Sequence, residues 1–307
     1  MPSGGKCDLP GRSMIDRLVI VGVGLIGGSV ALALRRAGQI GHIVGIGRTP
    51  GNLAQALAHG VIDEAADDYA RGVAEASCVL LAVPVGQIAG VLARIAPYLP
   101  ENAVVTDAGS TKGGVAALAR RHLDRRLPMF VPGHPIAGAE QSGVGAAQAA
   151  LFQGKDVVLT PLPETDSSAI AQVRGLWQAC GAVVSQMTPE AHDRVFAAVS
   201  HLPHLLSFAL VEDIAGKENA SQLFHYAASG FRDFTRIAGS SPEMWRDICL
   251  ANRQALLQEL DGYRGQIDRL RQALATEDGA ALEAVFDRAR AARNRWLDNQ
   301  EPSRDET

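Results

Sequence analysis

"RLVIVGVGLIGGSVALALRRAG", residues 17–38, decides the fold in three consecutive pieces. Residues 17–23 form a short, apolar, β-branched run, the pattern of a strand buried on both faces of a parallel sheet. Gly22, Gly24 and Gly27 stand in G-x-G-x-x-G spacing. "SVALALRRAG" has helical spacing and ends in a glycine suited to close a helix. In such a strand–turn–helix unit the first glycine makes the tight turn and the second lets the backbone approach a pyrophosphate. The third lets the helix pack on the strand. The helix start, at Leu25 and Ile26, adds free N–H groups for the same anion. The unit predicts dinucleotide binding.

Outward from it, strand-like and helix-like runs alternate. "HIVGIG", "CVLLAVP", "NAVVTDAG", "PMFVPG", "KDVVLTPL" and "AVVSQM" read as strands, and the segments between them as helices. This predicts an α/β fold, a doubly wound Rossmann-type domain over residues 16–187 with a mostly parallel sheet. Residues 1–15 read as a disordered lead-in. From Thr188 onward no strand-like run occurs, and apolar residues recur at spacings of three and four. An all-helical second domain is expected over 188–300, followed by a solvated tail at 301–307. Pro203 should bend its helix, because proline lacks a backbone donor. Residues 241–274 read as one further amphipathic stretch. Long helices with little structure between them often pack on a copy of themselves, so a homodimer through the helical domain is expected.

Composition narrows the function. The 307 residues hold 29 Lys and Arg against 33 Asp and Glu, a net charge of −4. That balance gives no electrostatic reason to expect a nucleic acid or an anionic membrane as partner. Cys7, Cys78, Cys180 and Cys249 lack C-x-x-C spacing and read as reduced thiols. No uninterrupted apolar run reaches the ~18 residues of a membrane span, and the opening residues lack the apolar core of a secretory signal. A cytoplasmic location is the expectation.

Several motifs carry chemistry. The second strand ends in "GIGRTP", with Gly47 where a carboxylate would take the ribose hydroxyl of NAD, and Arg48 beside it. A guanidinium there suits a 2′-phosphate, and Thr49 adds a hydroxyl, so NADP is the preferred cofactor, with NAD possible. Val83, Pro84 and Asp107 stand at strand ends, where such sheets bind ligands, and are further candidate cofactor contacts. In "TDAGSTKG", residues 106–113, Ser110 or Thr111 either caps the next helix or offers a hydroxyl to substrate, while Lys112 could contribute charge. In "GHPIAGAE", residues 133–140, an apolar strand-like run ends in His134, fixed in front of Pro135, with Glu140 six residues on. His192, His201 and His204 lie in the helical half. His201 and His204 share a helix face, but His192, nine residues earlier, faces away at 3.6 residues per turn, and no metal site is expected. "GFRDFTRIAGSSPEMWRD", residues 230–247, gathers Arg232, Arg236, Trp245 and Arg246; the plainer reading is a surface turn and a helix capped by Ser241 with Pro242 in its first turn.

Taken in order, "VGVGLIGGS", "DAGSTKG", "GHPIAGAE", "HDRVFAAVSHLPH" and "FRDFTRIAGSSPEMWRD" resemble the prephenate/arogenate (cyclohexadienyl) dehydrogenases of tyrosine biosynthesis, over roughly residues 16–300. The resemblance implies a dinucleotide domain followed by a helical dimerisation domain, with the active site in the cleft between them. It implies His134 as catalytic histidine, Ser110 as its partner and Arg236 on a substrate carboxylate. Glu140, His192, His201, His204 and Trp245 match positions that line or support the site. The substrate it implies is prephenate, arogenate or both, oxidised with NAD(P). Gly47 and Arg48 depart from members that carry an acid at the ribose. A hydroxyacid dehydrogenase of another substrate, or a non-catalytic sensor of NAD(P)H, are the alternatives; the joint presence of Ser110, His134 and Arg236 favours the dehydrogenase.

Overall fold

The structure, a computed structural model, describes residues 14–138, 141 and 143–299; Cys7, Glu140 and the tail at 301–307 lie outside them. The chain divides into two compact units, the first ending at Leu256 and the second beginning at Leu257.

In the first unit six strands form a sheet in the order β3-β2-β1-β4-β5-β6. They are β1 (Ile15–Val21), β2 (Ile40–Ile46), β3 (Glu64–Ala66), β4 (Cys78–Leu81), β5 (Val104–Asp107) and β6 (Phe130–Val131), and every neighbouring pair is parallel. Six helices accompany the strands: α1 (Leu25–Arg36), α2 (Pro50–Ala58), α3 (Tyr69–Val73), α4 (Ile88–Ile95), α5 (Gly113–His122) and α6 (Ser167–Ala179). The continuous apolar run in β1 follows from burial on both faces. Leu18 and Ile20 join one core with Leu34, Ile43 and Leu80, while Val19 and Val21 join the other with Val44, Val79 and Ile88. Strand order reverses between β1 and β4, which opens a crevice at their carboxyl ends.

The run "PMFVPG" does not end at His134. Pro132 has no N–H to continue the ladder, although its carbonyl accepts from the Thr160 N–H at 2.9 Å. The chain passes from β6 into a second sheet, with β7 (Gly133–Pro135) antiparallel to β8 (Asp156–Leu159) and β8 parallel to β9 (Val183–Gln186). His134 therefore sits inside an edge strand, paired with Val158, rather than at a strand end. Pro135 is tolerated there because an edge strand has one unpaired side.

After β9 the described residues are helical: α7 (Pro189–Phe196), a π turn (Ala197–His201), α8 (Leu202–Ala215), α9 (Ala220–His225), α10 (Ser229–Thr235), α11 (Pro242–Ala251), α12 (Arg253–Ala275) and α13 (Gly279–Asp298). Thr188 caps α7 through the Ala191 N–H, and Ser241 caps α11 through the Met244 N–H. The distortion expected at Pro203 is a π turn just before it. The proline ring crowds the carbonyl four residues back, that of Val199, and the wider turn gives it room. The stretch 241–274 is two helices, because Asn252 leaves helical geometry with ψ +28 between α11 and α12. By length and composition Pro189–Ala215 could cross a membrane; here it sets His192 and Asp193 in hydrogen bonds with β7 and the start of α5.

Candidate active site

The glycine-rich turn has the form its sequence requires. Gly22 has φ +98, and a Cβ there would stand 2.4 Å from the Ala82 carbonyl oxygen. A Cβ on Gly27 would meet the Gly22 carbonyl oxygen at 2.4 Å and Ile20 at 2.7 Å. Around Gly24, by contrast, nothing lies within 4 Å. Two glycines thus close the fold and the third leaves an open cradle. Gly24 is the N-cap of α1, so the N–H groups of Leu25, Ile26 and Gly27 have no acceptor within the helix. The cradle fits a pyrophosphate. Val83 packs beside Gly22, and Pro84 is exposed at the next strand end. At the end of β2, Arg48 and Thr49 are exposed; Arg48 makes no ion pair among the described residues, and the Thr49 hydroxyl makes no cap bond.

Asp107 is not available to a cofactor. It is fully buried, accepts from the backbone N–H of Gly109 (2.8 Å) and of Gly133 (3.2 Å), and pairs with the Lys112 ammonium at 2.5 Å. Lys112, expected to offer charge to substrate, is fully buried as well and also donates to the Gly133 carbonyl at 2.6 Å. Burial pulls its pKa down, and the Asp107 carboxylate pulls it back up. The pair ties β5, the loop before α5 and β7 together at Gly133, the residue before His134.

His134 is 8% exposed, and its Nδ1 lies 2.9 Å from His192 Nε2, while His192 Nδ1 lies 2.9 Å from Asp193 Oδ1. Burial alone would raise the Asp193 pKa, but His192 and the N–H groups of Lys112 and Gly113, both at 2.8 Å, hold it below its usual value. A carboxylate only accepts, so His192 donates through Nδ1 and presents the Nε2 lone pair. His134 must then donate through Nδ1, and its own lone pair is on Nε2. Burial, with the Lys112 cation second, holds the His134 pKa well below 6.5; His192 is lowered too, chiefly by burial. Phe196 packs on both rings, at 4.8 Å from His134 and 4.4 Å from His192. The result is a neutral, oriented base.

Ser110 is half-buried and makes no hydrogen bond to His134. Neither it nor Thr111 caps α5; Asp193 does so from 80 residues away. His201 belongs to the same cluster: a proton on it would oppose one on His134, and its Nδ1 lies 3.1 Å from Asn252 Nδ2. The π turn explains why His192 and His201 do not oppose each other, since five residues at about 4.4 per turn rotate the helix face by roughly a quarter turn. His204 donates through Nδ1 to the Ser200 carbonyl at 2.9 Å and stacks on Trp245 at 3.6 Å. The exposed Arg236 cation acts on His204, helping burial to lower its pKa. Asp193, Phe196 and Asn252 escaped the sequence reading. The signals were an acid directly after His192 and a lone amide inside a helical stretch.

The chain matches the family described as "Prephenate dehydrogenase, nucleotide-binding domain" over residues 30–186, and "Prephenate dehydrogenase, dimerization domain" over 188–288. It is 40% identical to the prephenate dehydrogenase of Bacillus subtilis, covering 92% of this chain and 76% of that one. Identity to the cyclohexadienyl dehydrogenase of Zymomonas mobilis is 36%, over 92% and 96%. The crystal structure of prephenate dehydrogenase from Aquifex aeolicus with hydroxyphenyl propionate and NAD+ superposes with a TM-score of 0.86 at 37% identity, covering 91% and 98%.

Proposed function

The chain belongs to the prephenate dehydrogenase family, and from that premise we propose that it oxidises and decarboxylates prephenate, with His134 as general base. The observation that carries this reading is the line Asp193–His192–His134, which leaves a lone pair on His134 Nε2. That nitrogen takes the proton of the ring hydroxyl as hydride leaves the same carbon. The nicotinamide, when bound, accepts that hydride. The ring is then a ketone, an electron sink into which the ring carboxylate loses carbon dioxide, giving a phenolate. His134 returns its proton to the phenolate oxygen, and the phenol leaves. While His134 is cationic, its Nδ1–H bond to His192 and the Asp193 carboxylate beyond spread the charge. Ser110 orients the substrate hydroxyl and Arg236 grips a carboxylate, with Glu140, His204 and Trp245 as further substrate contacts. His192 supports the base.

The cradle at Gly22, Gly24, Leu25, Ile26 and Gly27 holds the dinucleotide, with Val83 and Pro84 beside it. The free Arg48 and the Thr49 hydroxyl favour NADP over NAD. An exposed arginine–phosphate contact of ~1–2 kcal/mol predicts a five- to thirtyfold preference. Measuring kcat/KM with both cofactors, for the parent and Arg48→Ala, tests this; a parent preferring NAD would remove Arg48 as discriminator. The activity itself is tested by following reduced nicotinamide with prephenate and arogenate offered separately. No turnover of either would overturn the reading.

A further inference from the structure

Asn52 lies in the first turn of α2, close behind Arg48 and Thr49, and Thr49 is the N-cap of that helix. An asparagine near a helix start ordinarily bonds to its own backbone neighbours. Both ends of this amide instead reach other elements. Its Nδ2 donates to the Val23 carbonyl at 2.6 Å, inside the turn between Gly22 and Gly24, and its Oδ1 accepts from the Val144 N–H at 3.3 Å. A backbone carbonyl only accepts and a backbone N–H only donates, so the two partners fix which way the amide points. The segment that supplies Val144 is itself fastened to α1. The Gln148 N–H donates to the Ser29 hydroxyl at 2.9 Å, and a Cβ on Gly28 would stand 2.9 Å from the Ala147 methyl. Gly28 lies outside the G-x-G-x-x-G spacing, and its missing side chain makes room for this contact. The cradle for the pyrophosphate opens α1, and Arg48 and Thr49 lead into α2. One side chain and one short segment thus brace the two ends of the dinucleotide site against each other.

We propose that Asn52 is a positioning residue for the dinucleotide, holding the Arg48–Thr49 end at a fixed span from the Gly24 cradle through its bonds to Val23 and Val144. This rests on the reading of those two places as one dinucleotide site. A ligand that touches both gains from their being placed in advance, because its second contact then needs no further ordering. A ligand that touches only one gains nothing from the span.

The test compares dissociation constants for NADP, which reaches both ends, and for 2′-AMP, whose phosphate reaches the Arg48 end alone. Asn52→Leu keeps the shape of the side chain and removes both bonds. It should weaken NADP about tenfold and leave 2′-AMP within about twofold of the parent. Gly28→Ala, which pushes Ala147 and with it the Val144 segment off α1, should show the same split and serves if Asn52→Leu does not fold. A change in NADP affinity below about twofold overturns the proposal, as does an equal loss for both ligands, which marks local damage rather than a lost span. The same comparison with NAD and adenosine reads the span where no 2′-phosphate contact is made, so failure of the Arg48 reading is distinguishable from failure of this one. A parent that binds neither dinucleotide would overturn the site and this assignment together.

Discussion

His134 illustrates how environment holds an ordinary side chain neutral. Its pKa lies well below 6.5 because it is buried, and the Lys112 cation, His192 and His201 all oppose a second positive charge. A base with a lowered pKa stays unprotonated into acid, so the acid limb of kcat/KM should fall below pH 6.5. A limb at or above that value would contradict the neutral ring. His134→Asn should lower kcat by at least about 10²-fold across neutral pH. Asp193→Asn should also lower kcat about 10²-fold with little change in KM, because an amide no longer fixes the His192 tautomer. Lys112 acts differently. Lys112→Met leaves the buried Asp107 carboxylate without its cation and should cost about 3–5 kcal/mol of stability, read by urea unfolding. A stability loss below about 1 kcal/mol would show that Asp107 is satisfied by backbone N–H groups alone.

At the scale of elements, the turn between β1 and α1 separates folding from binding within six residues. Gly27→Ala puts a methyl 2.4 Å from the Gly22 carbonyl oxygen, so it should lower Tm and cofactor affinity together. Gly24→Ala meets nothing within 4 Å and should leave Tm unchanged while weakening the dinucleotide at least about tenfold. Equal effects of the two on Tm would refute the division of roles. The spacing of the glycines was enough to foresee this turn, because its geometry is local. The π turn was not foreseeable from periodicity, which assumes a constant 3.6 residues per turn. Pro203 signalled a distortion but not its kind. The break at Asn252 was equally hidden, since its helix-ending geometry depends on bonds to Asp193 and His201, 59 and 51 residues away.

At the scale of the whole molecule, α13 buries none of its side chains in the single chain, yet it carries Phe286 at 59% exposure and Trp296 at 58%. Leu257 and Leu274 of α12 are similarly exposed. Apolar helix faces of this extent are the expected content of a two-fold interface of ~2,000 Å² or more. Sedimentation should show a dimer at micromolar concentration, and Phe286→Asp with Trp296→Asp should shift it to monomer. A monomeric parent would leave those faces unexplained. The histidine cluster sets a second property. His134, His192, His201 and His204 all have lowered pKa values in the fold, whereas unfolded they titrate near 6.5. Below pH 6.5 the unfolded chain binds protons that the folded one refuses. Stability is therefore full above that pH and is lost as pH falls towards the folded values, about 4 for His201, at up to ~1.4 kcal/mol per pH unit for each group. Thermal melts from pH 8 to pH 5 should show Tm falling on the acid side; a flat Tm would mean that these rings are solvated.

What the sequence determined by itself is whatever rests on short-range regularity. The β1–turn–α1 unit, the alternation of strands and helices and the Ser241 cap all follow from neighbours within a few residues. The tertiary structure alone decided what each polar group faces. Asp107 and Lys112 sit in ligand-binding positions along the chain but bond to each other, and their burial removes them from any ligand. His134 takes its orientation from His192, 58 residues on, and from the carboxylate that follows it. A hydrogen bond depends on distance and direction in space, and those are fixed only when β7, α5 and α7 pack together. The family resemblance could therefore point to His134, and only packing could say which of its nitrogens is free.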